Sequence, residues 1–213
     1  SLDMAVNETV VLVHGLWMHG IAMIPLARRL EARGFACERF SYRSVRRGLE
    51  ANSGALLAHL RRLPASSLHL VGHSLGGALI LHALNEWADS RIRRVLLLGS
   101  PVTGSMSGRA LARYRAGRRM LGASLPLWDE RRVPSAPEGV EVGVIAGSLP
   151  IGLGRLFTVL PGPNDGVVPA VETRVDGAAD SLLLRVNHTG MLFSAAVARQ
   201  AYAFLKDGRF ARD

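Results

Sequence analysis

The segment Val71-Gly72-His73-Ser74-Leu75-Gly76-Gly77 reads Gly-x-Ser-x-Gly between a hydrophobic run and an apolar helical stretch. A serine hydroxyl stands free to attack a carbonyl when a tight strand-to-helix turn pushes it off the sheet edge. Small residues at Gly72 and Gly76 let such a turn close. The amide after the serine, that of Leu75, then begins a helix and is placed to meet a developing oxyanion. The plainer reading is a glycine-rich turn with a helix-capping serine; the strand before it and the helix after it favour the nucleophile. A second segment, Val10-Val11-Leu12-Val13-His14-Gly15-Leu16-Trp17, ends a hydrophobic run in His-Gly. The turn there offers the Leu16 amide as a second oxyanion donor, with His14 expected to shape the backbone rather than move protons.

A serine nucleophile needs a base, and the chain has seven histidines. His73 adjoins Ser74, where neighbouring side chains are expected to diverge. His69 falls within a buried strand, and His59 and His82 fall mid-helix. His19 lies near the proposed oxyanion loop, within reach of a substrate. His188, in Val186-Asn187-His188-Thr189-Gly190, follows the last strand and precedes the last helix, so its loop returns to the sheet edge that carries Ser74. It is the candidate base. The candidate orienting acid is Asp165, in Pro163-Asn164-Asp165-Gly166-Val167-Val168-Pro169. Its place gives the chain order serine, acid, histidine. An Asp-Gly pair between prolines also reads as a simple turn, and Glu172, Asp176 and Asp180 are the rivals.

Positioning these groups requires a scaffold. Strands are expected at 9–13, 35–42, 68–71, 95–98, 140–145 and 182–186, with helices at 21–33, 49–63, 75–87, 106–121 and 191–205. Four of the strand runs are nearly continuous Val/Leu rather than alternating, as strands buried on both faces are. Gly34 stands where a helix C-terminal glycine belongs. Strand and helix in alternation imply an α/β fold: a doubly wound, mostly parallel sheet with helices on both faces. No repeat or linker divides residues 1–213, so a single domain is expected. Two regions break the rhythm. Pro101 to Pro137 holds a basic amphipathic helix and then a Pro-rich stretch, a candidate short cap. Gly147 to Pro163 is rich in Gly, Pro and large apolar residues. Both follow strands, where loops shape ligand sites in open α/β sheets.

Composition narrows the function classes. The chain has 213 residues, 48% hydrophobic and 20% charged, enough for a sizeable core and too apolar for a disordered chain. Cys37 is the single cysteine, which excludes an internal disulfide and a C-x-x-C site. The net charge is +9, with arginine supplying all basic residues except Lys206. Charge alone supports an anionic partner weakly. No motif interleaves aromatics with the arginines, so no nucleic acid is expected. No metal-ligand cluster or phosphate-binding loop is seen, so no cofactor is expected. The stretch between Arg62 and Glu86 is uncharged, but its histidines and glycines suit a buried strand and helix better than lipid. Ser1-Leu2-Asp3 reads as an addition ahead of a natural start at Met4. With no basic n-region before the first apolar run, a cytoplasmic protein is expected.

Taken together, the His-Gly loop, the Gly-His-Ser-Leu-Gly-Gly turn, the Asn-Asp-Gly-Val-Val-Pro loop and the Asn-His-Thr-Gly loop resemble the α/β-hydrolase superfamily. More narrowly, they resemble its small bacterial lipase/esterase branch. The resemblance spans about residues 9–206. It implies acyl-ester hydrolysis by Ser74, His188 and Asp165, with the Leu16 and Leu75 amides as oxyanion donors. One departure stands out: family members often place the acid soon after its strand, whereas residues 148–164 intervene here between Gly147 and Asp165. Trp17 and Met18 are the expected substrate contacts, and Leu125, Trp128, Leu153 and Phe157 are further candidates for an acyl pocket. Met106, Ala110, Tyr114 and Leu121 recur at near-helical spacing among five arginines. They read either as one core-packed stripe or as a short cap that also touches anionic lipid. The chain is too short for a large inserted lid, which favours small acyl esters as substrates. An acyltransferase or thioesterase on the same groups is the alternative, and a non-catalytic binding module the more remote one.

Overall fold

The computed structural model describes residues 8–128 and 132–212. The reading of Ser1 to Met4 lies outside them. Six strands form one sheet: β1 (Glu8–Val13), β2 (Ala36–Phe40), β3 (Ser67–His73), β4 (Ile92–Leu98), β5 (Glu141–Gly147) and β6 (Asp180–Leu184). Every pairing is parallel, in the order β2-β1-β3-β4-β5-β6. Three of the four continuous apolar runs have the cause expected of them: Val10 to Val13, Leu68 to Val71 and Val95 to Leu98 are all buried, with helices on both faces. The fourth, 182–186, instead falls on the edge strand β6, whose Leu183 is exposed, because an edge strand has a neighbour on one side only.

One face is covered by α2 (Leu49–Arg62) and α3 (Leu75–Glu86), which pack Leu56, Leu60, Leu79 and Ile80 onto Val11, Leu70 and Val95. The other is covered by α1 (Ile24–Glu31) and α7 (Ala195–Asp207), which pack Leu26, Leu30, Val197 and Phe204 onto Val10, Leu96 and Ile145. Phe204 is fully buried directly over Gly143, where any Cβ would meet its ring at 2.7 Å. Truncating an aromatic in such a place costs about 3–5 kcal/mol. Caps fix the helix ends. Ser194 Oγ accepts the Val197 amide at the start of α7, and Pro25 occupies the first turn of α1. The uncharged stretch from 63 to 85 is β3 and α3. No helix among the described residues is long and apolar enough to cross a membrane.

The helix expected over Met106 to Leu121 is instead two, α4 (Met106–Ala112) and α5 (Arg115–Leu121), separated at Arg113-Tyr114. Tyr114 takes an extended conformation, φ −97° and ψ 140°, which turns the chain. Gly117 lets α5 fold back so closely that a side chain there would strike the Leu111 carbonyl. The supposed stripe divides accordingly, with Ala110 and Leu121 buried and Tyr114 exposed. The turns that follow, ending in α6 (Leu125–Trp128), bury Leu121 and Trp128 with Leu111 against Leu75.

This strand order reverses direction between β1 and β3. The carboxyl ends of those two strands, in register at Val13 and Gly72, therefore border the crevice where ligands sit in open α/β sheets. The His14-Gly15-Leu16 and Ser74 segments emerge at that point.

Candidate active site

Ser74 follows β3 directly and adopts φ 55°, ψ −126°, a conformation that side chains other than glycine rarely take. Holding it costs of the order of 1–3 kcal/mol. Its neighbours enforce the turn. A Cβ on Gly72 would lie 2.5 Å from Gly77 Cα, and one on Gly76 would collide with the carbonyl oxygens of Val13 and His14. The Ser74 amide donates to the Leu98 carbonyl at 2.9 Å, tying the turn to β4. α3 begins at the next residue, Leu75.

His188 and Asp165 meet at the same edge. His188 Nδ1 lies 2.7 Å from Asp165 Oδ2, a contact in which Nδ1–H donates to the carboxylate and Nε2 is the ring nitrogen turned away from it. The second carboxylate oxygen, Oδ1, accepts the Val167 and Val168 amides at 2.9 and 2.7 Å. A further bond runs from the His188 amide to the Asp165 carbonyl, at 2.9 Å. Asp165 is fully buried. Although residues 148–164 separate it from β5, the chain returns it to that strand's end: a Cβ on Gly147 would lie 2.6 Å from Asp165 Cβ. The departure from the family spacing is therefore an excursion that leaves the strand and comes back.

The rivals to Asp165 sit elsewhere. Asp176 pairs with Arg174 at 3.1 Å, and Asp180, at the opposite end of the sheet, is gripped by Arg212. Glu172 is buried, but its Oε1 accepts the Met106 amide at 2.7 Å and so anchors the start of α4. Burial pushes its carboxyl up to about 7, and its Oε2 has no partner.

Sequence reasoning underrated His73. Its ring, fully buried, lies 4.7 Å from that of His188, and its Nε2–H donates to the His188 carbonyl at 2.8 Å. Burial, reinforced by the nearby His188, pushes its pKa down to about 3, so it stays neutral. The contact arises because the 185–189 loop crosses the end of β3, which no local pattern encodes.

The loop after β1 is braced in a similar way. Tyr42 stacks on His14 at 4.4 Å between ring centres, donates its amide to His14 Nε2 at 3.1 Å and its hydroxyl to the His14 carbonyl at 2.9 Å. Burial lowers the His14 pKa, and the ring shapes the loop as expected. Gly15 abuts Ser74, since a Cβ there would come within 3.0 Å of Ser74 Cβ. The Leu16 and Leu75 amides donate to no protein acceptor among the described residues. Trp17 is held at φ 59°, and its indole N–H donates to the Met120 carbonyl at 2.7 Å, fastening this loop to α5.

Ser74 and His188 both open onto one cavity of about 340 Å3. Leu16, Trp17 and Met18 line one side, Leu111, Met120, Leu121 and Trp128 another, and Ile151, Leu153 and Phe157 a third. Among the described residues no Asp, Glu, Lys or Arg lines it. Of the further residues expected in an acyl pocket, Leu125 packs behind the wall on Trp128 and its neighbours. His19 does not line the cavity either. His69 and His82 pair with Glu8 and Glu50, and His59 packs against Phe40. Among the described residues no group of His, Cys, Asp and Glu could hold a metal ion.

The sheet order and its covering helices agree with the comparisons. The model of the alpha/beta hydrolase family matches residues 10–205, and the chain belongs to that family. No curated protein matches it. Among solved structures it is similar to the lin2722 product of Listeria innocua (17% identity, TM-score 0.63, 97% of this chain and 96% of that one). It is also similar to the carboxylesterase CesB of Bacillus subtilis (14%, 0.60, 95% and 84%). A third is the methylesterase MES16 of Arabidopsis (16%, 0.61, 94% and 98%). At these identities the likeness is one of fold.

Proposed function

We propose that this hydrolase cleaves carboxylic esters through Ser74, with His188 as its base and Asp165 as the acid that orients the base. The observation carrying this reading is that His188, its tautomer fixed by Asp165 at 2.7 Å, opens onto the same apolar-walled cavity as the strained Ser74. In this mechanism His188 Nε2 takes the hydroxyl proton as Ser74 Oγ attacks the ester carbonyl. Asp165 then stabilises the imidazolium without itself taking the proton. The Leu16 and Leu75 amides receive the oxyanion, each such donor being worth about 3 kcal/mol in the transition state. His188 returns the proton to the departing alcohol, and the serine is left acylated. Water, deprotonated by the same imidazole, releases the acid.

The substrate follows from the walls. An apolar cavity near the lower end of the usual ligand range, roughly 300–1,000 Å3, accepts a neutral acyl chain of modest length. Among the described residues it gives a charged acid no Lys or Arg partner. The esterase names of two structural relatives point the same way.

The test is a series of p-nitrophenyl esters of increasing chain length, together with a fluorophosphonate and peptide mapping. Label on Ser74, its loss in Ser74→Ala, and turnover that falls with the longest chains are expected. Label elsewhere, or near-wild-type turnover by folded Ser74→Ala, refutes the proposal.

A further inference from the structure

We propose that the mouth of the Ser74 cavity docks on an anionic lipid surface. The proposal builds on the esterase reading, from which it takes the substrate to be collected there; the docking itself is measured without catalysis.

Five residues that line the cavity are also solvent-exposed: Trp17 51%, Met120 51%, Ile151 61%, Leu153 65% and Phe157 42%. Leu156, 75% exposed, belongs to the same short turn, Leu153–Leu156. Water therefore faces a ring of large apolar side chains around the opening, an arrangement that marks an interaction surface. Among the described residues of the segments that carry this ring, the charged side chains are arginines. Arg115, Arg118 and Arg119 are exposed on α5 beside Met120, Arg113 precedes them, and Arg155 is exposed within the Leu153–Leu156 turn. Residues 99–128 and 148–164, which supply most of the cavity wall, contain no Asp or Glu at all.

An apolar ring within a cationic collar, with an indole at the boundary, matches the layering of acyl chains beneath anionic headgroups. A second copy of this chain fits poorly, because pairing the rims would set arginine against arginine. A protein partner seated on the ring would seal the cavity, whereas a lipid layer supplies the molecules that enter it.

The experiment is vesicle co-sedimentation of the full chain with phosphatidylcholine alone and with equal parts phosphatidylcholine and phosphatidylglycerol. Binding to the anionic vesicles is expected, weaker at high salt and much weaker to phosphatidylcholine. At about fivefold per surface arginine, Arg115→Gln with Arg119→Gln should weaken partition about 25-fold. Leu156→Gln should weaken it severalfold. None of these three residues lines the cavity, so hydrolysis of dissolved p-nitrophenyl butyrate should be unchanged, which also reports an intact fold. Failure to bind anionic vesicles at low salt overturns the proposal, as does partition that ignores these substitutions. A dimer in sedimentation that Leu156→Gln dissolves, without vesicle binding, overturns it in favour of self-association. Vesicle binding without hydrolysis of any ester supports the docking and counts against the esterase reading alone.

Discussion

Replacing Asp165 by Asn exchanges one oxygen for an NH2 group, and the surrounding bonds dictate where that group must point. Oδ1 accepts two backbone amides, from Val167 and Val168, and neither can accept a hydrogen bond. The Asn oxygen is therefore confined to that side, and its NH2 faces His188 Nδ1. Two donors cannot share the 2.7 Å contact now made by the carboxylate. The imidazole resolves the conflict by moving its proton to Nε2, the nitrogen that in the proposed mechanism receives the Ser74 proton. Loss of the correct tautomer in a serine-histidine-acid system lowers kcat by about 10^4, equivalent to about 5.5 kcal/mol. KM and the thermal unfolding midpoint should change little, because shape and both backbone bonds survive. The assay is steady-state hydrolysis of a short p-nitrophenyl ester by Asp165→Asn, Glu172→Gln and Asp176→Asn. If Asp165→Asn stays within tenfold of wild type, or if one of the other two shows the large kcat loss, the argument from Asp165 is wrong.

Other outcomes follow from the same geometry. Gly76→Ala forces a methyl into the Val13 and His14 carbonyls; overpacking of this kind costs about 1–3 kcal/mol, read as a midpoint lowered by about 2–12 °C, with activity lost alongside as the Leu16 loop shifts. His73→Ala orphans the buried His188 carbonyl at about 1–3 kcal/mol, whereas His73→Gln can restore the donor. Thermal melts and kcat together should therefore rank wild type, Gln, then Ala. The folded-state pKa of Glu172 is raised, so its proton stabilises the fold below the unfolded value near 4.5. That contribution is lost as pH climbs through about 7. A shift of this size corresponds to about 3 kcal/mol. Melts from pH 4 to 8 should show Glu172→Gln gaining on wild type as pH rises; a constant difference would exclude the mechanism.

Much of this architecture is legible in the sequence, for identifiable reasons. Doubly buried strands advertise themselves as unbroken Val/Leu runs, and the serine turn needs its glycines within five residues, so local sequence carries both. Asp165 and His188 were legible through chain order, and the structure brings them into contact. What stayed hidden depends on segments far apart in the chain. The break at Arg113-Tyr114 reflects α5 folding onto Leu111 through Gly117, against a helical pattern that ran on without interruption. The bond from His73 to the His188 carbonyl spans 115 positions, and the Trp17 link to Met120 spans 103. Glu172 looked like a spare acid because nothing nearby in sequence announces that α4 will begin above it.

The detour between β5 and Asp165 has an evolutionary corollary. Asp165 sits in a loop that fastens itself: an Asn164–Pro169 bridge closes it, the carboxylate binds amides two and three positions onward, and its carbonyl holds the histidine backbone. The preceding residues, among them Ile151, Leu153 and Phe157, form a wall of the Ser74 cavity and make no hydrogen bond to the Asp165–His188 pair that the proposed mechanism uses. Under the proposed mechanism, lengthening or trimming that wall would remodel which acyl groups fit while the acid keeps its seat, so selection could retune substrate preference and catalysis separately.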